Sequence, residues 1–326
     1  EDLLAENDDA TNYIIRYIES ETGNLYEAES NSLAVERLTN TTIPGVSTAE
    51  FVNQDLAILR YLDSNDIIKT FSATYNPPLI EGDEDAVGRL QGIFLDDNIQ
   101  QYTISSETEL FYTLFDGGNV RGILSTVDGR NKTQIFSSVY SEWSPSFGNR
   151  SQTITMTTYP SYADFGISYL LSAENQSFRP FINAQRGLMV TLDENAENAL
   201  VSAVTTDGTE LFIRNSDGTF TETGLETFAE KCAWAPGSVT AYCAVPTDGV
   251  NANEPDRWYQ GVSNYVDDIW KITIETGLTE FVYSPLASNG YRLDIVDMRV
   301  SPNDQYLYFL DKQRSYLWTL FLLGEQ

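Results

Sequence analysis

The sequence contains no histidine. This absence excludes Ser-His-Asp and Cys-His catalysis, histidine-ligated zinc and histidine-based pH switching. An enzyme with this sequence would have to use carboxylates, Tyr, Lys or a cofactor, and no catalytic motif of that kind is present. We therefore predict no catalytic residues and no enzymatic activity.

Basic residues are scarce, with 19 Lys and Arg against 48 Asp and Glu, and the formal net charge is −29. Nucleic-acid binding needs cationic side chains to neutralise phosphates, so we expect no nucleic-acid partner. The same charge argues against docking on anionic lipid. An acidic, solvated surface that keeps the protein soluble is the simplest interpretation.

Only two cysteines are present, Cys232 and Cys243, and they flank a turn at Pro236–Val239. If the hairpin is centred between Gly237 and Ser238, the two cysteines face each other. Directly opposed strand positions lie about 4.5 Å apart at Cα, within disulfide range. We predict a disulfide, which implies an oxidising compartment, and leave open two buried free thiols.

No apolar run reaches the length of about 18 residues that a membrane-spanning helix requires, so we expect no membrane insertion by this chain. The chain starts at Glu1 and not at Met, which suggests a processed or truncated start. We expect an extracytoplasmic location (periplasmic, secreted or cell-surface) and leave open an anchor upstream of Glu1.

Short apolar runs separated by turns recur along the chain, and 12% of the residues are aromatic, which favours strands. Similar turns occur at Trp143-Ser144-Pro145, Trp234-Ala235-Pro236 and Val300-Ser301-Pro302. Anchors near Val52, Ile104, Trp143, Leu192, Trp234 and Val300 give gaps of 52, 39, 49, 42 and 66 residues. Four of the gaps match the repeat of about 40 to 50 residues that a β-propeller blade needs.

Two segments carry a more specific resemblance. The stretch from Tyr13 to Thr39 has an aromatic strand, a turn, Leu25-Tyr26, and then Glu36-Arg37-Leu38-Thr39. The stretch Asp268–Gly277 has a similar pattern, and Ser301-Pro302-Asn303 fits the start of the same unit. This pattern resembles the TolB-type or WD-like β-propeller repeat, which implies a fold and no catalytic residues.

We therefore predict an all-β fold, a single β-propeller of seven four-stranded antiparallel blades, with six blades as the alternative. Residues 1–10 are expected to form an acidic tail. Residues 11–326 are expected to form the propeller, with the ring closed by pairing of the N- and C-terminal strands.

A long insertion at residues 247–265 should join the second and third strands of its blade. Its second half is aromatic, and an equivalent loop, residues 158–165, is aromatic as well. Long loops in otherwise compact rings are often functional. We predict binding residues in these two loops, with the alternative that the aromatic rings fold inward as a structural plug: Arg257, Trp258, Tyr259, Tyr265, Tyr159 and Tyr162.

Acidic clusters occur at Glu81–Asp85, Asp96-Asp97 and Asp267-Asp268. Oxygen-rich clusters are candidate calcium sites, but the spaced acidic loop of a calcium-binding motif is absent, and we predict no cofactor and no metal site.

These observations predict a non-catalytic extracytoplasmic scaffold that binds a protein or a glycan at the cell envelope through the long aromatic loops. A carbohydrate-active or cation-dependent enzyme that uses carboxylates is the alternative.

Overall fold

The computed structural model describes residues 13–29, 34–78, 87–105, 108–148, 152–206, 208–251 and 253–322, together with the backbone of residues 3–6. The chain divides into two compact units, Glu1–Ser141 and Glu142–Gln326. Each unit consists of antiparallel sheets whose strands follow one another in chain order.

The first unit contains three four-stranded sheets. Their strands are β1 (Leu3–Glu6), β2 (Tyr13–Ile18), β3 (Leu25–Glu29) and β4 (Val35–Arg37); β5 (Val46–Phe51), β6 (Leu56–Leu62), β7 (Ile68–Asn76) and β8 (Arg89–Phe94); and β9 (Ile99–Ile104), β10 (Glu109–Asp116), β11 (Asn119–Thr126) and β12 (Thr133–Ser138).

The second unit contains three four-stranded sheets and, in the described residues, one three-stranded sheet. Their strands are β13 (Trp143–Phe147), β14 (Thr153–Thr158), β15 (Phe165–Ser172) and β16 (Phe178–Arg186); β17 (Met189–Leu192), β18 (Ala199–Val204), β19 (Thr209–Arg214) and β20 (Phe220–Glu222); β21 (Cys232–Trp234), β22 (Thr240–Pro246), β23 (Asp267–Thr273) and β24 (Thr279–Tyr283); and β25 (Ile295–Val300), β26 (Tyr306–Asp311) and β27 (Leu317–Phe321).

Helix is nearly absent from the described chain. Two short α-helices, α1 (Asp256–Tyr259) and α2 (Pro285–Asn289), and one 3₁₀ turn at Ala229–Lys231 interrupt the second unit. Neither α-helix is long and apolar enough to cross a membrane. The seven sheets form a seven-bladed β-propeller, which confirms the predicted fold class and sets aside the six-bladed alternative.

The second strand of each blade explains why the sheets pack on both faces. In β10, β14 and β18 four or five consecutive residues are buried. A strand buried on both faces does not alternate between buried and exposed residues. Clusters of buried side chains lie between neighbouring sheets of the same unit, for example between the sheet of β17–β20 and the sheet of β21–β24.

The fourth strands are mostly exposed, and several pair an aromatic ring with a ring on the third strand. Phe178 stacks on Tyr169 with ring centroids 4.4 Å apart, and Phe281 meets Trp270 edge-on at 5.7 Å. Such cross-strand pairs stabilise the outer edge of a sheet, which otherwise has one unpaired side.

Four of the six predicted anchors lie at the end of the first strand of a blade, and Val52 directly follows β5. Ile104, Leu192, Trp234 and Val300 end β9, β17, β21 and β25. Trp143, however, begins β13, and Ser144 and Pro145 lie inside that strand and not in a turn. Pro145 is tolerated there because β13 is the first strand of its sheet and has one unpaired edge.

At the N-terminus, the predicted acidic tail includes β1, whose backbone pairs with β2. Ring closure by pairing of the chain ends stays a prediction.

Candidate functional site

The insertion at residues 247–265 connects β22 to β23, and the loop at residues 158–165 connects β14 to β15, as the sequence predicts. The short helix α1 lies within the insertion and follows a cis peptide bond between Glu254 and Pro255. The backbone N–H of Trp258 donates to the Glu254 carboxylate at 2.8 Å, which holds the start of this helix.

Trp258 and Tyr265 face the interior of the protein. Trp258 is 3% exposed and Tyr265 is 6% exposed, and both belong to the apolar cluster around Phe228. The indole Nε1–H of Trp258 donates to the two oxygens of Asp294 at 3.2 and 3.0 Å. Lys312 donates through Nζ to the Trp258 carbonyl oxygen, so the insertion is fixed at its centre.

A buried lysine lies beneath these rings. Lys231 has no exposed side-chain surface, and its Nζ donates to Asp267 at 2.5 Å and to Asp294 at 2.7 Å. The ammonium also lies 5.4 Å from the Trp258 ring centroid and 5.3 Å from that of Tyr265. We call these five residues the anchor cluster, because they hold the insertion on the blades below it.

The electrostatics of the anchor cluster are dominated by desolvation. Burial raises the pKa of Asp267 to about 6, although Lys231 and the backbone N–H of Ile295 oppose the shift. The second carboxylate oxygen of Asp267 has no hydrogen-bond partner in the described chain. Burying a charge pair is costly even when the pair is well made, so this cluster is a point of high energetic sensitivity.

Of the six predicted binding residues, Trp258 and Tyr265 are therefore placed as a structural plug. Their rings are buried within the anchor cluster and do not reach the surface. The other predicted residues lie closer to solvent: Arg257 is exposed, Tyr259 is half-buried, and Tyr159 and Tyr162 are 42% and 39% exposed.

The structure brings the two long loops together. Asp256 accepts hydrogen bonds from the Ser161 hydroxyl at 2.9 Å and from the backbone N–H of Tyr162 at 2.7 Å. The rings of Tyr159 and Tyr259 pack with their centroids 5.1 Å apart. The two loops thus form one surface in the second unit.

Gly187, which directly follows β16, holds the loop of residues 158–165. The N–H of Gly187 donates to the Ser161 carbonyl oxygen at 2.7 Å, and Gly187 has a φ of +59°. A Cβ at this position would lie 2.8 Å from Val204 Cγ2 and 3.3 Å from Pro255 Cδ. Glycine is required here both for the backbone conformation and for the close approach of the insertion.

Carboxylates surround the Tyr159–Tyr259 pair. The charged groups that act on the Tyr159 hydroxyl are Glu230, Asp256 and Glu142; together with burial, which has the larger effect, they raise its pKa. The backbone N–H of Tyr159 donates to the Glu142 carbonyl oxygen at 2.8 Å. We call Tyr159, Tyr259, Glu142, Glu230 and Asp256 the acidic–aromatic site.

Glu230 lies at the centre of this site. The residue has exposed surface, yet desolvation by the surrounding protein raises the pKa of its carboxyl group. Hydrogen bonding with Tyr259 opposes this shift, and repulsion from Asp297 adds to it. Asp297 lies at a β-bulge of β25 with a φ of +50°.

The Tyr259 hydroxyl oxygen is buried in this site. It lies close to the Glu230 carboxyl group, which interacts with it by charge and by hydrogen bonding. Burial, followed by the charge of Glu230, raises the pKa of Tyr259 well above its ordinary value.

Glu142, Glu230 and Asp256 were not singled out from the sequence. Glu230 precedes Lys231 on a 3₁₀ turn, and only the tertiary structure shows that one faces solvent while the other is buried. Asp256 stands beside Arg257 in the insertion, and this position next to a predicted binding residue was its only sequence signal.

The predicted disulfide is present. Cys232 and Cys243 are register partners on β21 and β22, and their sulfur atoms are bonded at 2.09 Å. Cys232 directly follows the 3₁₀ turn that carries Glu230 and Lys231, so the disulfide fixes the strand that leaves this turn.

The acidic clusters considered for calcium have other roles where the structure describes them. Asp96 accepts hydrogen bonds from Tyr112 and Lys132, and Asp97 pairs with Lys69. Within the described chain, no group of three or more acidic or cysteine side chains is arranged to hold a metal ion. Glu81–Asp85 lies outside the described residues, so the calcium question stays untested.

The chain is similar in structure to known β-propellers. An oligogalacturonate lyase from Vibrio parahaemolyticus is similar over 97% of this chain and 87% of its own length, with 10% identity and a TM-score of 0.59. The β-propeller domain of the Trilobed protease from Pyrococcus furiosus is similar over 86% of this chain and 81% of its own length, with 8% identity and a TM-score of 0.53.

TolB from Acinetobacter baumannii is also similar, with 8% identity and a TM-score of 0.50 over 84% of this chain. The chain spans 63% of the length of that TolB. The resemblance to TolB-type propellers is confirmed as a likeness of fold. These relatives include enzymes and TolB, so the fold does not by itself assign an activity.

No protein-family model matches the sequence, and no curated protein matches it significantly.

Proposed function

We propose that this protein is a non-catalytic, extracytoplasmic β-propeller that binds a partner through the surface where residues 158–165 meet residues 247–265. The observation that carries the proposal is the junction of the two loops through Asp256, which accepts from Ser161 and Tyr162. A junction of this kind presents exposed rings on a fixed support.

Three aromatic rings are available on this surface. Tyr159, Tyr162 and Phe165 are 42%, 39% and 64% exposed. Arg186 donates to the carbonyl oxygens of Tyr162 and Ala163 and lies 4.6 Å from the Phe165 ring centroid, so the rings are held in place. Clustered aromatic residues with an arginine are typical of binding surfaces, because they bury large area at a low cost in entropy.

The disulfide between Cys232 and Cys243 supports the proposed location, because disulfides persist in oxidising compartments.

Binding by this surface is tested with a glycan array and a cell-envelope protein fraction, each probed with the wild-type protein and with Tyr162→Ala. The matched control is Tyr316→Ala, since Tyr316 is an exposed tyrosine, at 62%, outside the two loops. We expect a ligand that binds the wild type and the control and is lost from Tyr162→Ala. Binding that Tyr162→Ala leaves intact would contradict the proposal.

The competing function is a carbohydrate-active or cation-dependent enzyme that uses carboxylates. The raised pKa of Glu230 is the feature that such an enzyme would use in a general acid. A panel of chromogenic glycosides, with and without Ca²⁺, separates the two functions. Turnover that survives purification and disappears in Glu230→Gln would overturn the non-catalytic proposal.

A further inference from the structure

Aromatic rings flanked by carboxylates hold one of the protein's own cations elsewhere in the chain. In the first unit, Arg16 lies 5.3 Å from the ring centroid of Tyr75. The same guanidinium pairs with Glu27 at 2.9 Å and with Asp55 at 3.2 Å. Ring and carboxylates together attract the cation, because the face of the ring is electronegative.

The anchor cluster in the second unit repeats this composition. Lys231 lies between two carboxylates and against the rings of Trp258 and Tyr265. Both clusters are thus complete, with ring, carboxylate and cation supplied by the same chain.

The acidic–aromatic site has the rings and the carboxylates but lacks the cation. In the described chain no Lys or Arg side chain lies over the ring of Tyr159 or Tyr259, and none pairs with Glu142, Glu230 or Asp256.

We propose that the acidic–aromatic site receives a lysine or arginine side chain of a protein partner, which packs on Tyr159 and pairs with Glu230. The proposal rests on the proposed binding function of this surface and specifies the chemistry of the partner. A basic side chain supplies the positive charge that the site lacks, together with N–H donors for its carboxylates.

Charge complementarity over the whole molecule points the same way. The protein has a net charge of −29, so a basic partner is attracted over long range, and an acidic or anionic one is repelled. The ring pair and the Glu230 carboxylate add the short-range selectivity that net charge alone does not provide.

The test uses a fluorescently labelled peptide, acetyl-Gly-Lys-Gly-Arg-Gly-amide, and a neutral analogue in which Gln replaces Lys and Arg. Fluorescence anisotropy is measured at a salt concentration of about 0.15 M, so that distant surface charges are screened. We expect the basic peptide to bind the wild-type protein and the neutral peptide to bind at least about tenfold more weakly.

Two pairs of variants assign the binding to the site. Glu230→Gln should weaken binding of the basic peptide by about tenfold, whereas Glu275→Gln, which removes the same charge from an exposed turn, should leave it unchanged. Tyr159→Leu should weaken binding, while Tyr159→Phe, which keeps the ring, should bind as the wild type does.

Equal weakening by Glu230→Gln and Glu275→Gln would overturn the proposal, since general attraction to an acidic protein would then explain the binding. Binding of butylamine or methylguanidine as tight as that of the peptide would overturn the assignment to a protein partner. Failure of the basic peptide to bind would overturn the cation proposal alone if Tyr162→Ala still loses the envelope ligand. If Tyr162→Ala keeps that ligand, the proposed function fails as well.

Discussion

Glu230 and Lys231 are neighbours on one 3₁₀ turn, and they lie in two clusters of similar composition with opposite environments. Lys231 belongs to the anchor cluster, which is sealed from solvent and contains its own cation. Glu230 belongs to the acidic–aromatic site, which has exposed surface and contains no cation from the residues that the structure describes. The comparison indicates that the first cluster stabilises the insertion, while the second is free to meet a partner.

The insertion itself shows the same division. Trp258 and Tyr265 are packed on the anchor cluster, whereas Asp256 and Tyr259 reach across to the loop of residues 158–165. One segment therefore has a structural side and a surface side, and the structural side holds the surface side in place.

The largest expected effect separates Glu230 from Lys231. Lys231→Met leaves Asp267 and Asp294 buried without their cation, so we expect a loss of about 3 to 5 kcal/mol in the free energy of unfolding. Glu230→Gln should change it by less than about 0.5 kcal/mol, as surface substitutions do. Chemical denaturation measures both. A Lys231→Met protein as stable as the wild type would break the comparison between the two clusters.

A smaller effect separates the two sides of the long loops. Trp258→Ala removes a buried ring and leaves Asp294 without the indole donor, so we expect destabilisation by about 3 kcal/mol or more. Tyr162→Ala, on the exposed side, should leave the melting temperature nearly unchanged while abolishing ligand binding. Thermal melting with a binding assay on both variants is the measurement. A stable Trp258→Ala protein that loses ligand binding would show that the plug assignment is wrong.

The smallest expected effect is a pH dependence from the anchor cluster. The folded-state pKa of Asp267 is about 6, above its ordinary value of 3.8. A raised pKa means that the folded protein binds this proton more tightly than the unfolded chain. The contribution of Asp267 to stability is therefore present at low pH and is lost as the pH rises through about 6.

The effect of Asp267 is limited to about 1.4 kcal/mol per pH unit, because one proton is involved. Carboxylates with lowered pKa values, such as Asp63, Asp128 and Asp217, change stability in the opposite direction. The difference in unfolding free energy between the wild type and Asp267→Asn isolates the contribution. That difference should change between pH 4 and pH 7, in the range from about 3.8 to about 6, and a constant difference would argue against a buried, ionising Asp267.

Much of the fold follows from local patterns. Strand-forming runs and Gly-containing turns recur at blade spacing, and the spacing predicted seven blades with six as the alternative. The anchors for this count were Val52, Ile104, Trp143, Leu192, Trp234 and Val300. The turn predicted at Trp143 was wrong, because a Trp-Ser-Pro sequence is compatible both with a turn and with an edge strand.

The candidate site was only partly predictable. The sequence located both long loops and the Tyr159, Tyr162 and Tyr259 rings, because unusual length and aromatic content are visible in one dimension. It could not separate the inward-facing Trp258 from the outward-facing residues. Whether Trp258 faces inward depends on its hydrogen bond to Asp294, which lies 36 residues further along the chain. A contact over this distance leaves no local sequence pattern.

The sequence by itself determined the all-β propeller, its blade spacing and the register that opposes Cys232 to Cys243, because these follow from short-range periodicity and turn geometry. The tertiary structure alone decided that Lys231 is buried while Glu230 is accessible. It also decided that, among the described residues, one ring cluster contains a cation while the other does not. Burial and electrostatic environment are set by residues brought together from several blades, and adjacent positions in the chain do not reveal them.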